Sequence, residues 1–168
     1  MDWQRIIDKY YPEGTRLRDI YMRHSRDVAE LALEIADECR LPLDHEQIRA
    51  AAMLHDIGIV LTDAPGIDCH GSAHYLQHGP LGAELLRREG APEWAARVAE
   101  RHTGAGIGEM VPETQLERLI CYADKFYSKS GSMERKSLAE VRRGMAKWGE
   151  ENLHRFEKLK EEFDCPIL

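Results

Sequence analysis

An apolar helical segment of the sequence ends in a histidine and an aspartate side by side, His55 and Asp56, which are followed directly by Ile57 and Gly58. Residues 51–54 are small or apolar, so the segment favours burial and carries the His-Asp pair toward the interior. Burying an ionised carboxylate costs free energy unless another charge compensates it. The pair therefore points to a bound cation, and further ligands should lie elsewhere in the chain.

Four other candidate ligands lie in or beside amphipathic helical patterns: His24, His78, His102 and Asp124. Helices that face each other in a bundle build metal sites from one or two side chains each. A single histidine on an apolar stripe, such as His24, is more often a hydrogen-bonded core residue than a ligand. The presence of the other candidates in five separate segments favours the ligand interpretation.

The order His, His-Asp, His, His and Asp resembles the HD-domain superfamily of metal-dependent phosphohydrolases. Residues 55–58, His-Asp-Ile-Gly, resemble its HDIG signature, and the contexts of the other candidates are similar too: His24-Ser25, His78-Gly79, Arg101-His102 and Tyr122-Ala123-Asp124-Lys125. The resemblance covers about residues 20–130. It implies an all-α fold, a compact helical bundle of the HD-domain type.

The length of 168 residues predicts a single domain, 1–168, with the metal-site core at about 20–130. Asp44 is predicted to cap a helix that delivers His55, and residues 61–77 read as a loop because Pro and Gly interrupt the periodicity. A C-terminal helix is predicted at about 137–163. Its apolar residues recur at helical spacing and should pack against the bundle or a second subunit: Val141, Met145, Trp148, Phe156, Leu159 and Phe163.

Composition limits the partners. The net charge of −7 disfavours a nucleic acid polymer, although bound metal ions would still let a small phosphorylated substrate approach. No apolar run has the length of a membrane span, and the N-terminus does not read as a signal peptide, so we expect a cytoplasmic protein without membrane contact. The four cysteines are widely spaced and are expected to be reduced thiols. A homodimer remains open.

The resemblance implies a division of the ligands between one or two divalent ions. One ion would take His24, His55 and Asp124, the other would take His78 and His102, and Asp56 would bridge them. Imidazole and carboxylate ligands without thiolate favour iron, manganese, cobalt, nickel or zinc over calcium. Two such ions can activate a water and polarise a phosphoryl oxygen, which predicts hydrolysis of a phosphate bond.

Catalysis at phosphorus also needs positive charge from side chains. Asp56 and Lys125 are the predicted catalytic residues, and Arg23, Lys125 and Lys129 are the predicted substrate-binding residues. Residues 128–136 form a basic, hydroxyl-rich break that either holds phosphate oxygens or is a solvated turn. Of the remaining histidines near the site, His74 is a further candidate and His70 is expected to be a solvated loop residue.

The function predicted from these residues is hydrolysis of a phosphoester or phosphoanhydride of a nucleotide-like substrate. Among the HD proteins, a short chain with six ligands is similar to the binuclear hydrolases that cleave dinucleoside polyphosphates. Two alternatives stay open. HD-fold proteins with the same ligands also include di-iron oxygenases that act on a small polyol or phosphonate, and an HD domain can bind a nucleotide without catalysis.

Overall fold

The computed structural model describes all 168 residues and contains eight α-helices: α1 (Trp3–Tyr10), α2 (Arg16–Glu38), α3 (His45–Leu54), α4 (His78–Arg88), α5 (Glu93–Arg101), α6 (Gln115–Asp124), α7 (Leu138–Ala146) and α8 (Glu150–Glu162). Strands β1 (Asp63–Ala64) and β2 (Cys69–His70) form a small antiparallel sheet, and three short 3-10 turns cover Ile57–Leu61, Pro65–Ile67 and Tyr75–Gln77. The predicted all-α class is confirmed. None of the helices combines the length and apolarity that crossing a lipid bilayer requires.

Polar residues fix where the site-bearing helices begin. Asp44 caps α3, as predicted, by accepting a hydrogen bond from the backbone N–H of Gln47. Thr114 and Glu117 form a reciprocal capping box at the start of α6. These caps satisfy backbone donors that the first helical turn leaves free, and each helix then delivers a candidate ligand at its opposite end.

The core consists of two apolar clusters that meet along α2 and α3. One cluster includes Val28 of α2 and packs against α6 and α8, while the other includes Tyr21 of α2 and packs against α1 and α4. His24 lies on α2 between these two residues, and His55 directly follows α3. The candidate ligands therefore gather at the seam between the clusters, where both clusters shield them from solvent.

The predicted single C-terminal helix at 137–163 is wrong in one respect, because the structure has two helices there, α7 and α8. Gly149 separates them with a φ of 104°, a backbone conformation that L side chains rarely adopt. Val141 and Phe156 are buried, as their spacing predicts, but Trp148 is 43% exposed. The predicted loop at 61–77 contains β1 and β2, which close on each other over the short turn between them.

Candidate metal centre

The structure brings together all six side chains predicted as ligands, in two groups that share Asp56. Within each group the nitrogen and oxygen atoms lie within 4.8 Å of one another: His24, His55, Asp56 and Asp124 in the first, and Asp56, His78 and His102 in the second. All six residues are buried. The grouping equals the division that the HD resemblance implies.

Helix ends deliver most of these side chains. His55 and Asp56 follow the last residue of α3, His78 is the first residue of α4, His102 follows α5, and Asp124 is the last residue of α6. Only His24 lies in the middle of a helix. Because the ends of several helices converge here, their ligands reach one centre without a clash between the helix backbones.

Gly58 permits the closest of these approaches. A Cβ at Gly58 would lie 2.1 Å from the carbonyl oxygen of His78 and 2.6 Å from the backbone nitrogen of Gly82, so no other residue fits there without moving α4. The glycine of the His-Asp-Ile-Gly sequence thus sets how near the start of α4 comes to Asp56.

Three of the four histidines are oriented by the backbone. The Nδ1 atom of His55 lies 2.6 Å from the carbonyl oxygen of Ala52, and the other two histidines make the same contact with the residue three positions earlier: His78 with Tyr75 at 2.6 Å and His102 with Ala99 at 2.8 Å. A neutral imidazole that donates through Nδ1 presents the lone pair of Nε2 to the centre. Such backbone partners are the usual support of metal-binding histidines.

The inward-facing atoms fit a divalent cation. The Nε2 atom of His24 lies 2.9 Å from Oδ1 of Asp124 and 3.1 Å from Oδ2 of Asp56, and the Nε2 atoms of His78 and His102 are 3.0 Å apart. When His78 and His102 both donate to the backbone through Nδ1, their Nε2 lone pairs face each other and repel unless a positive charge lies between them. Oδ2 of the fully buried Asp56 already has the ammonium group of Lys129 at 2.7 Å. A divalent cation would add the positive charge that the facing imidazole nitrogens of His78 and His102 lack.

The charges and burial at the centre give its histidines different pKa values. Burial lowers the pKa of His55, but the carboxylates of Asp56 and Asp124 outweigh burial and raise that pKa to about 9. Burial and the neighbouring imidazole of His102 lower the pKa of His78 to about 3. The pKa of Asp56 lies well below its usual range, because Lys129 and the surrounding imidazoles outweigh the effect of burial. The pKa of Asp124 is also well below its usual range, because Lys125 and two imidazoles outweigh burial, so both carboxylates are ionised and available as ligands.

Two predicted lysines lie at the centre. The Nζ atom of Lys129 is 2.7 Å from Oδ2 of Asp56. The Nζ atom of Lys125 is 2.6 Å from Oδ2 of Asp124 and 2.8 Å from the carbonyl oxygen of His102. Lys125 is buried, and both ammonium groups add positive charge beside the carboxylates.

The structure places three other predicted residues away from the centre. Arg23 is half exposed and pairs with Glu134 at 3.3 Å, so its guanidinium points to the surface. His74 is exposed and accepts a hydrogen bond from the backbone of Leu76. His70 is exposed on β2, in line with the prediction of a solvated residue.

Two adjoining cavities open beside the centre. The smaller, of about 160 Å³, is lined by His78, His102, Asp124 and both lysines, and the larger, of about 550 Å³, extends outward from it. Three residues line both cavities: Tyr75, Lys129 and Trp148. Tyr75 and Trp148 were not among the predicted site residues. The signal in the sequence for Trp148 is Gly149, the glycine that directly follows it and interrupts the helix.

Known relatives include two archaeal enzymes with the same name. A tRNA (cytidine(56)-2'-O)-methyltransferase of Picrophilus torridus is 32% identical over 160 residues, which cover 86% of this chain and 41% of the relative. The methyltransferase of Thermoplasma volcanium is 32% identical over 139 residues, which cover 76% of this chain and 37% of the relative. The chain thus spans less than half the length of these methyltransferases.

A third relative comes without a described activity. An uncharacterized protein of Methanocaldococcus jannaschii is 32% identical over 118 residues, which cover 61% of this chain and 63% of the relative. No solved structure gives a significant match. The profile of the HD domain matches residues 21–128, a segment that holds all six centre residues and well over half of the chain. The chain belongs to the HD-domain family.

Proposed function

We propose that this protein is a metal-dependent phosphohydrolase that cleaves a phosphoester or phosphoanhydride of a nucleotide-like substrate, with water as the nucleophile. The observation that carries the proposal is the pair of buried His/Asp groups that share Asp56. His24, His55 and Asp124 would hold one divalent ion with Asp56, and His78 and His102 would hold a second. When bound, such ions supply Lewis acidity to a phosphoryl oxygen and lower the pKa of a water.

The donor set supports a first-row transition metal. Nitrogen ligands outnumber carboxylates, and neither buried cysteine contributes a thiolate to the two groups. Iron, manganese, cobalt, nickel and zinc accept such ligands, whereas calcium takes six to eight oxygens. One or two of these ions are the proposed cofactors.

The two lysines at the centre support a phosphate as the reacting group. Lys125 and Lys129 line the smaller cavity together with the carboxylate of Asp124. Ammonium groups that are already in place stabilise charge that develops on phosphate oxygens during transfer. We assign Lys125 to catalysis and both lysines to substrate binding, while Asp56 positions the ions. Arg23 lines neither cavity, so we do not assign it this role.

A phosphate group carried by RNA is a second candidate substrate. The names of the two methyltransferase relatives favour it, because those proteins act on tRNA and match this chain over most of its length. The net charge of −7 opposes it, since a long polyanion would meet repulsion over much of the surface. A small nucleotide avoids that repulsion, so we favour it.

Phosphate release tests the proposal directly. The purified full chain is incubated with manganese and one of four substrate classes: nucleoside phosphates, dinucleoside polyphosphates, p-nitrophenyl phosphate and a short RNA with a terminal phosphate. We expect phosphate release from at least one class and a loss of at least about 100-fold in Asp56→Asn, as for other removed charge-stabilising groups. Asp63→Asn, at an exposed residue of β1, is the matched control and should retain activity.

Three outcomes separate the alternatives. Release from the RNA but from no small substrate would favour the second candidate. Binding of a nucleotide without release from any class would contradict the hydrolase and favour a non-catalytic domain. Oxygen uptake by the iron-loaded protein, in place of phosphate release, would contradict the hydrolase and favour oxygenase chemistry.

A further inference from the structure

The larger cavity has the size of a binding site for an organic group. Its volume of about 550 Å³ lies inside the range of about 300 to 1,000 Å³ that is typical of small-molecule pockets, whereas the smaller cavity of about 160 Å³ lies below it. The smaller cavity holds the lysines and candidate ligands. A substrate with its reacting phosphate at the centre would therefore extend its remaining part into the larger cavity.

Trp148 gives this cavity an aromatic wall. It is one of three large apolar side chains that are exposed, and it lies in the break between α7 and α8. A Cβ added to Gly104 would lie 3.2 Å from Cε3 of Trp148, so the indole packs directly against the loop that follows His102. The position of the indole is thus tied to the backbone next to a centre residue.

Asn152 holds the loop after His102 against the segment that carries Trp148. Its Oδ1 atom accepts a hydrogen bond of 2.8 Å from the backbone N–H of Ala105, and its Nδ2 atom donates one of 3.0 Å to the carbonyl oxygen of Met145. Asn152 is buried. The bonds join the loop after His102 to both C-terminal helices, which keeps the indole of Trp148 in place without a ligand.

Lys136 gives the cavity a free cation. It is half-buried and lines the larger cavity, and no carboxylate lies within 4.0 Å of its ammonium group. The other lysines that are not exposed, at 125, 129 and 160, all pair with an aspartate. Burial lowers the pKa of Lys136, the carboxylate of Asp124 raises it, and the charges of Lys125 and Lys129 lower it. An anion beside the ammonium group would give it the partner that it lacks.

We propose that the larger cavity is a subsite for the non-reacting part of a nucleoside diphosphate or longer nucleoside polyphosphate, with the base stacked on Trp148 and a further phosphate at Lys136. The assignment rests on the proposed function, because that function places the reacting phosphate in the smaller cavity. Ser128 and Ser130 add hydroxyl groups to the same wall. Lys136 and Trp148 both follow residue 128, where the match to the HD domain ends, so the two side chains that would recognise the ligand lie outside that match.

Binding of an analogue that resists hydrolysis tests the subsite without requiring turnover. Calorimetry of the full chain with manganese uses adenosine 5′-(α,β-methylene)diphosphate, and methylenediphosphonate serves as the probe without a base. Stacking of one base on an aromatic side chain corresponds to a change of about 5- to 150-fold in Kd. We expect Trp148→Ala to weaken binding of the adenosine analogue by that factor and to leave methylenediphosphonate within about 2-fold. Trp148→Phe should retain most of the affinity.

Lys136→Gln supplies an independent test that leaves the indole in place. Loss of a charge-assisted contact corresponds to a weakening of at least about 10-fold for the adenosine analogue. Lys147→Gln is the matched control, because Lys147 is an exposed lysine directly before Trp148 and lines neither cavity. Its affinity should equal that of the unaltered chain.

Several results would overturn the subsite. They are equal binding of both probes by the unaltered chain, equal loss for both probes in Trp148→Ala, or unchanged affinity in Lys136→Gln. If phosphate is released from nucleotides while these variants bind normally, the hydrolase stands and the subsite falls. If the variants lose affinity while no phosphate is released, the subsite stands and the hydrolase falls.

Discussion

Asp56→Asn removes a charge from the middle of the centre while it keeps the shape of the side chain. The carboxylate is fully buried, and five cationic or imidazole nitrogens lie within 3.4 Å of its oxygens. They are Nζ of Lys129 and the Nε2 atoms of His24, His55, His78 and His102. Because Asp56 belongs to both candidate ion groups, its loss should affect every bound ion at once.

The size of the effect on metal binding follows from linkage. An ion present at 100 times its Kd stabilises the folded chain by about 2.7 kcal/mol. For a chain of this length, each kcal/mol shifts the Tm by about 2 to 4 °C, so saturating manganese should raise the Tm by about 5 to 11 °C. In Asp56→Asn that rise should largely vanish.

The same variant should lose stability even in the presence of a chelator. Lys129, whose side chain is 14% exposed, would lose the partner of its ammonium group at a fully buried position, and breaking a buried ion pair from one side costs about 3 to 5 kcal/mol. The Tm should then fall by about 6 to 20 °C. Asp63→Asn, at an exposed aspartate without an ion pair, should change neither quantity.

Thermal melts with EDTA and with a manganese series measure both effects in one experiment. A manganese-induced rise in Tm that is the same in Asp56→Asn and in the unaltered chain would refute the reasoning, because the shared carboxylate would then not bind the ion. A rise that is absent from the unaltered chain for all five candidate metals would refute the metal centre itself.

Three further predictions follow from the same geometry. The pKa of His55 is raised to about 9, so in EDTA its protonated form stabilises the fold fully below pH 6.5 and progressively less as the pH rises through 9. Metal affinity should rise over the same range, because binding displaces the proton. Thermal melts and metal titrations from pH 6 to 10 measure both trends. Gly58→Ala places a Cβ 2.1 Å from the His78 carbonyl oxygen, so it should lower the free energy of unfolding by at least about 1 to 3 kcal/mol and weaken metal binding. Gly66→Ala, which has open space around the new Cβ, should change neither quantity, and equal melting temperatures for the two variants would contradict the packing. Lys125→Gln should lower kcat by about 100-fold or more. Arg23→Gln, at a surface guanidinium, should leave kcat and KM unchanged, and equal changes in kcat for the two variants would contradict the assigned roles.

The sequence was sufficient to find the candidate ligands because their chemistry restricts both residue type and position. A single buried imidazole is more often a hydrogen-bonded core residue than a ligand, but six imidazoles and carboxylates in matching contexts favour a metal site. His55 and Asp56 also carry their own geometry, since adjacency in sequence and the following Gly58 limit where the backbone can go. Contacts between residues that are adjacent in sequence, as here, depend little on the rest of the fold and can be predicted from the sequence. The all-helical class followed from the resemblance to the HD-domain superfamily that these residues carry.

The positions of the cations were not predictable, because a lysine or arginine reaches its partner through a long flexible stem. Arg23 precedes a ligand candidate directly, yet the helical rotation from His24 turns its guanidinium outward to Glu134. Lys129 lies in a break that reads equally as a solvated turn, yet its ammonium group reaches Asp56. Neighbouring elements decide these outcomes, and the local sequence does not contain them.

Trp148 illustrates a different limit of sequence reasoning. Helical spacing assigns the indole to the same apolar stripe as Met145, and burial of a large aromatic side chain is the ordinary expectation for such a stripe. Gly149 overrides the pattern, because its φ of 104° ends the helical path and redirects the chain into α8. The indole is then left exposed against Gly104, at the mouth of the centre. The break in periodicity at Gly149 is therefore what leaves the indole of Trp148 free to line the two cavities beside the centre.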